Sequence, residues 1–308
     1  MKKKKQYFLE YAAFRFIETC IRLTPVFLLE LVAKGLAYVA FNWIQYRRRV
    51  ALENLAIAFP EKPMVERLEI AHGSIRHFIL VILEFMKFNR WSYKKLERKV
   101  DIEPPEDFDI IVENNRENGM ILVGGHFGNW EIPIAFLSEG YFPNVSIIQQ
   151  RQKNPLVDEY LTSIRAKRGM KIYYTGDAIK NATEDLKNNS LVAIVCDQDA
   201  GARGIWIPFF GKMASTHVGA SLLHLNSQAK LMFGACVRTG RFKFKTFLVP
   251  VNYQGEYTES RENMQQVTRA FTVALEEAIR QYPEQYLWTH RRWKTKYDPN
   301  NPAHRFSE

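Results

Sequence analysis

The chain reads as an α/β protein: a mainly parallel central sheet flanked by helices, preceded by an N-terminal helical region that associates with membranes. Three observations predict this. Short apolar runs such as MILVGG (120–125) and LVAIVCDQ (191–198) have the length and continuity of strands buried on both faces. Between such runs lie segments with helical spacing of apolar positions, and that alternation implies βαβ units. The first 45 residues are apolar with scattered charges, bounded by Lys2–Lys5 on one side and Arg47–Arg49 on the other.

The N-terminal stretch lacks the uninterrupted apolar centre of a secretory signal. Glu10, Arg15, Glu18 and Arg22 break its first part at helical spacing, as in an amphipathic helix. The second part, Val26 to Ile44, is long enough to span a bilayer but carries Glu30 and Lys34. Charges at mid-bilayer cost on the order of 2.5–3.5 kcal/mol each, which favours helices lying in the interface over a clean span. A helical hairpin packed on the protein's own core fits the same pattern. The chain divides into membrane-associating helices (1–45), a helical connecting region (46–100) and an α/β domain (101–308).

Within that domain the reading starts with a helix over 107–119 and the strand MILVGG. Helix 129–140, strand 145–150 and helix 154–169 follow, the last closed by Gly169. Next come strand 171–176, helix 177–189 with Asp177 as N-cap, and strand 191–198. Helix 215–228, strands 230–239 and 242–251, and a long helix over 262–283 complete the series. The stretch GIWIPFFGK (204–212) reads as a loop. Its Trp206, Phe209 and Phe210 are either core or a wall facing an apolar ligand chain, with Arg203 and Lys212 beside them.

Lys and Arg exceed Asp and Glu by 43 − 33 = 10. That balance favours an anionic partner. The run HRRWKTK (290–296) is cationic, but no nucleic-acid-binding motif accompanies it, so anionic lipid is the better match and nucleic acid is not expected. Three scattered cysteines form neither a disulfide framework nor a zinc pattern, and no metal or cofactor is expected.

The chemistry concentrates where the first buried strand ends. MILVGGHFGNWEIP (120–133) passes from four apolar residues into Gly124, Gly125, His126, Gly128 and Asn129, with Glu131 five positions after the histidine. Reactive groups in open α/β sheets gather at such strand ends. A neutral imidazole can take a proton from an alcohol, and a carboxylate on its other nitrogen fixes the tautomer. Glu131, at the start of the next helix, is placed to supply that carboxylate. No serine or cysteine occupies the loop, which argues against a nucleophile elbow and for direct attack by a substrate hydroxyl.

This loop resembles the His-x4-Asp/Glu motif of the glycerolipid acyltransferase superfamily, and more closely that of the late acyltransferases of lipid A biosynthesis. The segments YRRRVALENLAIAFPE, QQRQKNPLVDEYL, CDQDAG and YPEQYLWTHRRWKT are similar, in order, to further segments of that family. The resemblance implies a glycerolipid acyltransferase-like fold and transfer of a fatty acyl chain from an acyl carrier protein or CoA thioester to a hydroxyl of a lipid A precursor. It implies His126 as general base, Glu131 as its partner, and Arg151, Asn129, Asp197, Asp199, Arg203, Phe209 and Phe210 as substrate-binding residues. Arg151 reads equally as a partner of Asp158 or Glu159, and Asp197 and Asp199 as turn formers or partners of Arg151. His217, where relatives carry a small or hydroxyl residue, is given no catalytic role. The expected location is the cytoplasmic face of the inner membrane, against anionic lipids. An acyltransferase for another glycolipid or phospholipid, and an inactive membrane-bound scaffold, are the alternatives.

Overall fold

The structure is a computed structural model that describes residues 2–306, other than 90, 91, 93, 96, 97, 99, 100, 104, 105, 107–109, 111, 112, 114–118, 141, 143 and 177. The expected helix over 107–119 falls largely outside the described residues, as does the Asp177 cap.

Four helices come first: α1 (Lys2–Leu23), α2 (Leu29–Tyr38), α3 (Arg48–Ala58) and α4 (Met64–Phe88). The central sheet then has the order β1-β9-β8-β2-β5-β3-β4. Its strands are β1 (Asp101–Glu103), β2 (Met120–Gly124), β3 (Val145–Gln149), β4 (Met170–Tyr174), β5 (Leu191–Val195), β8 (Lys230–Gly240) and β9 (Lys243–Pro250). Strands β8, β2, β5, β3 and β4 run parallel, and β9 turns back antiparallel to β8. The connecting helices are α5 (Glu131–Gly140), α6 (Pro155–Ala166), α7 (Ala178–Lys187), α8 (Gly219–Ser227) and α9 (Arg261–Gln281).

Alternation of side chains along β2 divides the core in two. Ile121 and Val123 face a cluster that includes Leu186 of α7, Leu223 of α8 and Leu275 of α9. Met120 and Leu122 face the other side, with Leu137 of α5, Ile147 and Ala193. Local signals set the helix starts. Asn154 accepts from the backbone N–H groups of Leu156 and Val157, with Pro155 at the first helical position. Ser260 caps α9 in the same way.

Residues 204–212 are not a loop. They form the hairpin of β6 (Ile205–Phe209) and β7 (Lys212–Thr216). Phe210 and Gly211 turn it with φ of 49° and 72°, and two positive φ values match the twist of flanking strands. The helix expected from 215 therefore starts only at Gly219.

The N-terminal helices pack on the protein and also present an apolar outer face. Ile21, Leu29 and Ala33 close on Leu80 and Leu83 of α4. The buried Glu18 carboxylate accepts from Tyr160 Oη of α6 at 2.6 Å and from Asn89 Nδ2 at 3.0 Å. Asn154 donates to Tyr7 O and Glu10 Oε2, both at 2.9 Å. Outward, Phe8, Phe16, Leu23, Phe27, Leu31 and Trp43 are exposed. Among the described residues, Val26–Trp43 is the one helical stretch long and apolar enough to cross a membrane by length and composition.

Candidate active site

The ladder between β2 and β5 positions the site. Gly124 lies opposite Val195, an offset of 71 residues, and Cys196 N–H donates to Gly124 O beyond it. The same offset sets His126 beside Asp197, and His126 Nδ1 lies 2.8 Å from Asp197 Oδ1. A carboxylate only accepts, so Nδ1 carries the hydrogen and Nε2 is free to accept a proton. Gly125 allows this approach, since a Cβ there would lie 3.3 Å from Asp197 Cβ and 3.0 Å from the Leu275 side chain. Gly128 has φ of +61°, and a Cβ on it would strike Cys236 O at 2.0 Å, so only glycine fits.

Asp197 is buried and flanked by charge and hydroxyl. Burial alone would raise its pKa, but the His126 and Arg292 charges outweigh that and hold it below the ordinary carboxylate value. Burial likewise opposes the His126 imidazolium. Asp197, by charge and by hydrogen bond, with a further contribution from Glu131, holds His126 above its ordinary 6.5. Tyr286 is buried beside Asp197, and burial followed by that charge raises its hydroxyl well above the usual value. Arg292 is anchored by Ser215 O and Thr216 Oγ1, each at 2.5 Å.

His126 opens onto a cavity of about 1350 Å³. This exceeds the roughly 300–1,000 Å³ of pockets for drug-sized ligands. Leu122, Ile147, Ala193 and Leu248 form its floor on the sheet, and Ile134 and Leu137 of α5 its roof. From Glu131 to Leu137 the helix rises about 9 Å, so apolar wall leads away from the histidine. Phe14 of α1 and Ile82, Phe85 and Met86 of α4 bound another side. Arg98, Arg165, Arg203, Gln198 and His217 supply polar lining.

Several expected roles change. Glu131 lines the cavity, but its carboxylate pairs with Arg165 Nη2 at 2.6 Å, and the carboxylate on Nδ1 is that of Asp197. Asn129 is buried beneath the site: its Nδ2 donates to Glu84 Oε2 and its Oδ1 caps α5. Arg151 is exposed and is not among the residues that line the cavity. Its guanidinium stacks 3.8 Å over Tyr174 and lies 3.9 Å from Asp158 Oδ2, a surface arrangement that the following helix makes available. Asp199 ties down the C-terminal segment, accepting from Thr295 N and Oγ1, while its own N–H donates to His290 Nε2 at 3.0 Å. Phe209 and Phe210 are core rather than acyl-chain wall. They pack on Trp293, Tyr286, Trp288 and Phe59, because burying aromatic area in the hairpin outweighs leaving it at a site. Trp206 is buried against Tyr297 and His304. Arg203 does line the cavity. Arg165 escaped the sequence reading, although Val157, Leu161 and Arg165 recur every four residues along one face of α6 and all three line the cavity.

A mainly parallel α/β sheet with a His–Asp pair at the mouth of a large, mostly apolar cavity defines the class: an α/β protein with room for a lipid-sized ligand. The chain belongs to the family described as bacterial lipid A biosynthesis acyltransferase, which matches residues 2–295. It is 25% identical over 261 residues to the lipid A biosynthesis palmitoleoyltransferase of Escherichia coli K12, covering 84% of this chain and 82% of that protein. It is 24% identical to the lipid A biosynthesis lauroyltransferase of the same organism, covering 85% and 84%. A lipid A biosynthesis acyltransferase of Haemophilus influenzae is 22% identical, covering 85% of each chain.

Proposed function

We propose that this enzyme transfers a fatty acyl chain from a thioester on acyl carrier protein, or on CoA, to a hydroxyl of a lipid A precursor, with His126 as general base and Asp197 as its orienting carboxylate. The observation that carries this is the His126–Asp197 hydrogen bond at the mouth of an apolar cavity. The acceptor hydroxyl gives its proton to His126 Nε2 as its oxygen attacks the thioester carbonyl. The Asp197 charge stabilises the imidazolium so formed. Collapse of the tetrahedral intermediate breaks the C–S bond, and the imidazolium returns the proton to the departing thiolate. The products are an ester and a free thiol. Arg165, paired with Glu131, and Arg203 both line the cavity, which supports a role for them in binding anionic groups of donor or acceptor.

The outward apolar side chains of α1 and α2, with the arginines that follow them, support attachment to the cytoplasmic face of the inner membrane against anionic lipids. The test is transfer of a labelled acyl group by purified protein, comparing carrier-protein and CoA thioesters and several acceptors. Loss of transfer in folded His126→Ala supports the reading, and wild-type transfer in that variant overturns it. Preferred acylation of a phospholipid or another glycolipid would replace the acceptor.

A further inference from the structure

We propose that Glu84, on α4, is a positioning residue for acyl transfer: through Asn129 and Arg238 it sets where the His126 loop and the start of α5 lie. The inference rests on His126 acting as the base.

Glu84 is fully buried. One of its oxygens, Oε2, accepts from Asn129 Nδ2 at 2.9 Å and from Arg238 Nη2 at 2.5 Å. Aiming the Asn129 amide nitrogen at a carboxylate turns its Oδ1 the other way, onto the backbone N–H groups of Glu131 and Ile132. The carboxylate therefore decides which end of the amide caps α5. On the other side, Arg238 exchanges two main-chain bonds with the Gln285 side chain, at 2.8 and 2.9 Å. Gln285 O in turn accepts from Gly128 N at 3.0 Å. His77, also on α4, lies with Nε2 3.0 Å from Gly128 O. Asn129 thus meets the buried ion pair directly, and its neighbour Gly128 reaches the same pair through Gln285 and the Arg238 main chain.

Neither Glu84 nor Arg238 lines the cavity. A buried ion pair is a poor source of stability compared with apolar packing, but it is directional. Among the described residues, Glu84 Oε1 and Arg238 Nε have no hydrogen-bond partner, so the polar contacts of the pair converge on Oε2. Its geometry is explained by what Oε2 holds. If the start of α5 shifts, Glu131 shifts with it, and Glu131 contributes to the raised pKa of His126.

The experiment compares full-length wild type with Glu84→Gln, Asn129→Ser and Leu80→Ala in one detergent. It uses a lauroyl thioester of acyl carrier protein, or of CoA, with a lipid A precursor. Asn129→Ser keeps a capping oxygen but does not reach Glu84. Leu80→Ala weakens α4 packing on its other side and controls for stability. Glu84→Gln and Asn129→Ser are expected to lower kcat about 10–100-fold, as sub-ångström to ångström misplacement does, with little change in KM. The acid limb of kcat/KM should shift in both, because His126 then lies at changed distances from the carboxylates around it. Leu80→Ala should lower the melting temperature and leave the limb in place. Wild-type kcat and acid limb in folded Glu84→Gln overturn the proposal, as do a lowered kcat and a shifted limb in Leu80→Ala. If Glu84→Gln does not fold, Asn129→Ser decides alone. A wild-type profile with no acid limb removes His126 as base, and kcat then judges Glu84 by itself.

Discussion

His126 and Asp197 meet because they stand at the same offset, 71 residues, as the paired residues of β2 and β5. Each sits two positions past the last residue of its strand, so two parallel neighbours deliver an imidazole and a carboxylate to one edge. No excursion of the backbone is needed to bring them together.

The pair sets the pH dependence. Asp197 raises the His126 pKa above 6.5, and a base must be neutral to work. Activity is expected to rise with pH through an acid limb above 6.5. Asp197→Asn keeps the shape and removes the charge, so the limb should move down and kcat should fall by about 10²–10⁴. A pH–rate profile of both proteins checks this. The same shift fixes a sign for stability. With a raised folded pKa, the His126 contribution is present below the unfolded pKa and lost as pH rises through the folded one.

Glu131→Gln should be milder than Asp197→Asn, since it breaks the pairing with Arg165 rather than the bond to His126. A kcat loss larger than that of Asp197→Asn would return Glu131 to the role of orienting carboxylate. Steady-state kinetics with both variants settles the order.

Arg151→Ala should leave transfer nearly intact. Its side chain is 72% exposed, and surface pairs like that with Asp158 are worth about 0–1 kcal/mol. A large loss of activity in folded protein would place Arg151 on the substrate after all.

Phe209→Ala is expected to cost about 3–5 kcal/mol of stability and to leave acyl-chain preference unchanged. Denaturant unfolding in detergent measures the first, and a panel of acyl thioesters the second.

Deleting residues 1–45 should destabilise the remainder rather than release an intact catalytic domain. It uncovers Leu80 and Leu83, each worth roughly 1.5–3 kcal/mol of burial, and removes the Glu18 carboxylate from Tyr160 and Asn89 and the Tyr7 and Glu10 acceptors from Asn154. Size-exclusion chromatography of the truncated protein reports the aggregation expected. A monodisperse, active truncation would mean the helices only anchor. Full-length protein should stay on liposomes at 1 M salt, where the Debye length is about 3 Å, because apolar contact is not screened.

The sequence by itself determined most of the local elements, the hairpin at 205–216 excepted, and the strand end that carries His126. Five-residue apolar strands, the Asn154–Pro155 helix start and the glycine-bounded loop around His126 are properties of neighbouring residues, and local sterics and burial suffice to specify them. The chain's overall pattern of segments carried the family resemblance in the same way. Tertiary structure alone decided which carboxylate meets the imidazole. Glu131 is closer along the chain, yet helix α5 turns it toward Arg165, while the β2–β5 register brings Asp197 alongside. Strand adjacency, and with it register, depends on contacts between residues far apart in sequence. The same reason explains Phe209 and Phe210: their aromatic character is visible locally, but whether they face a ligand or Trp288 depends on where the C-terminal segment closes over the hairpin.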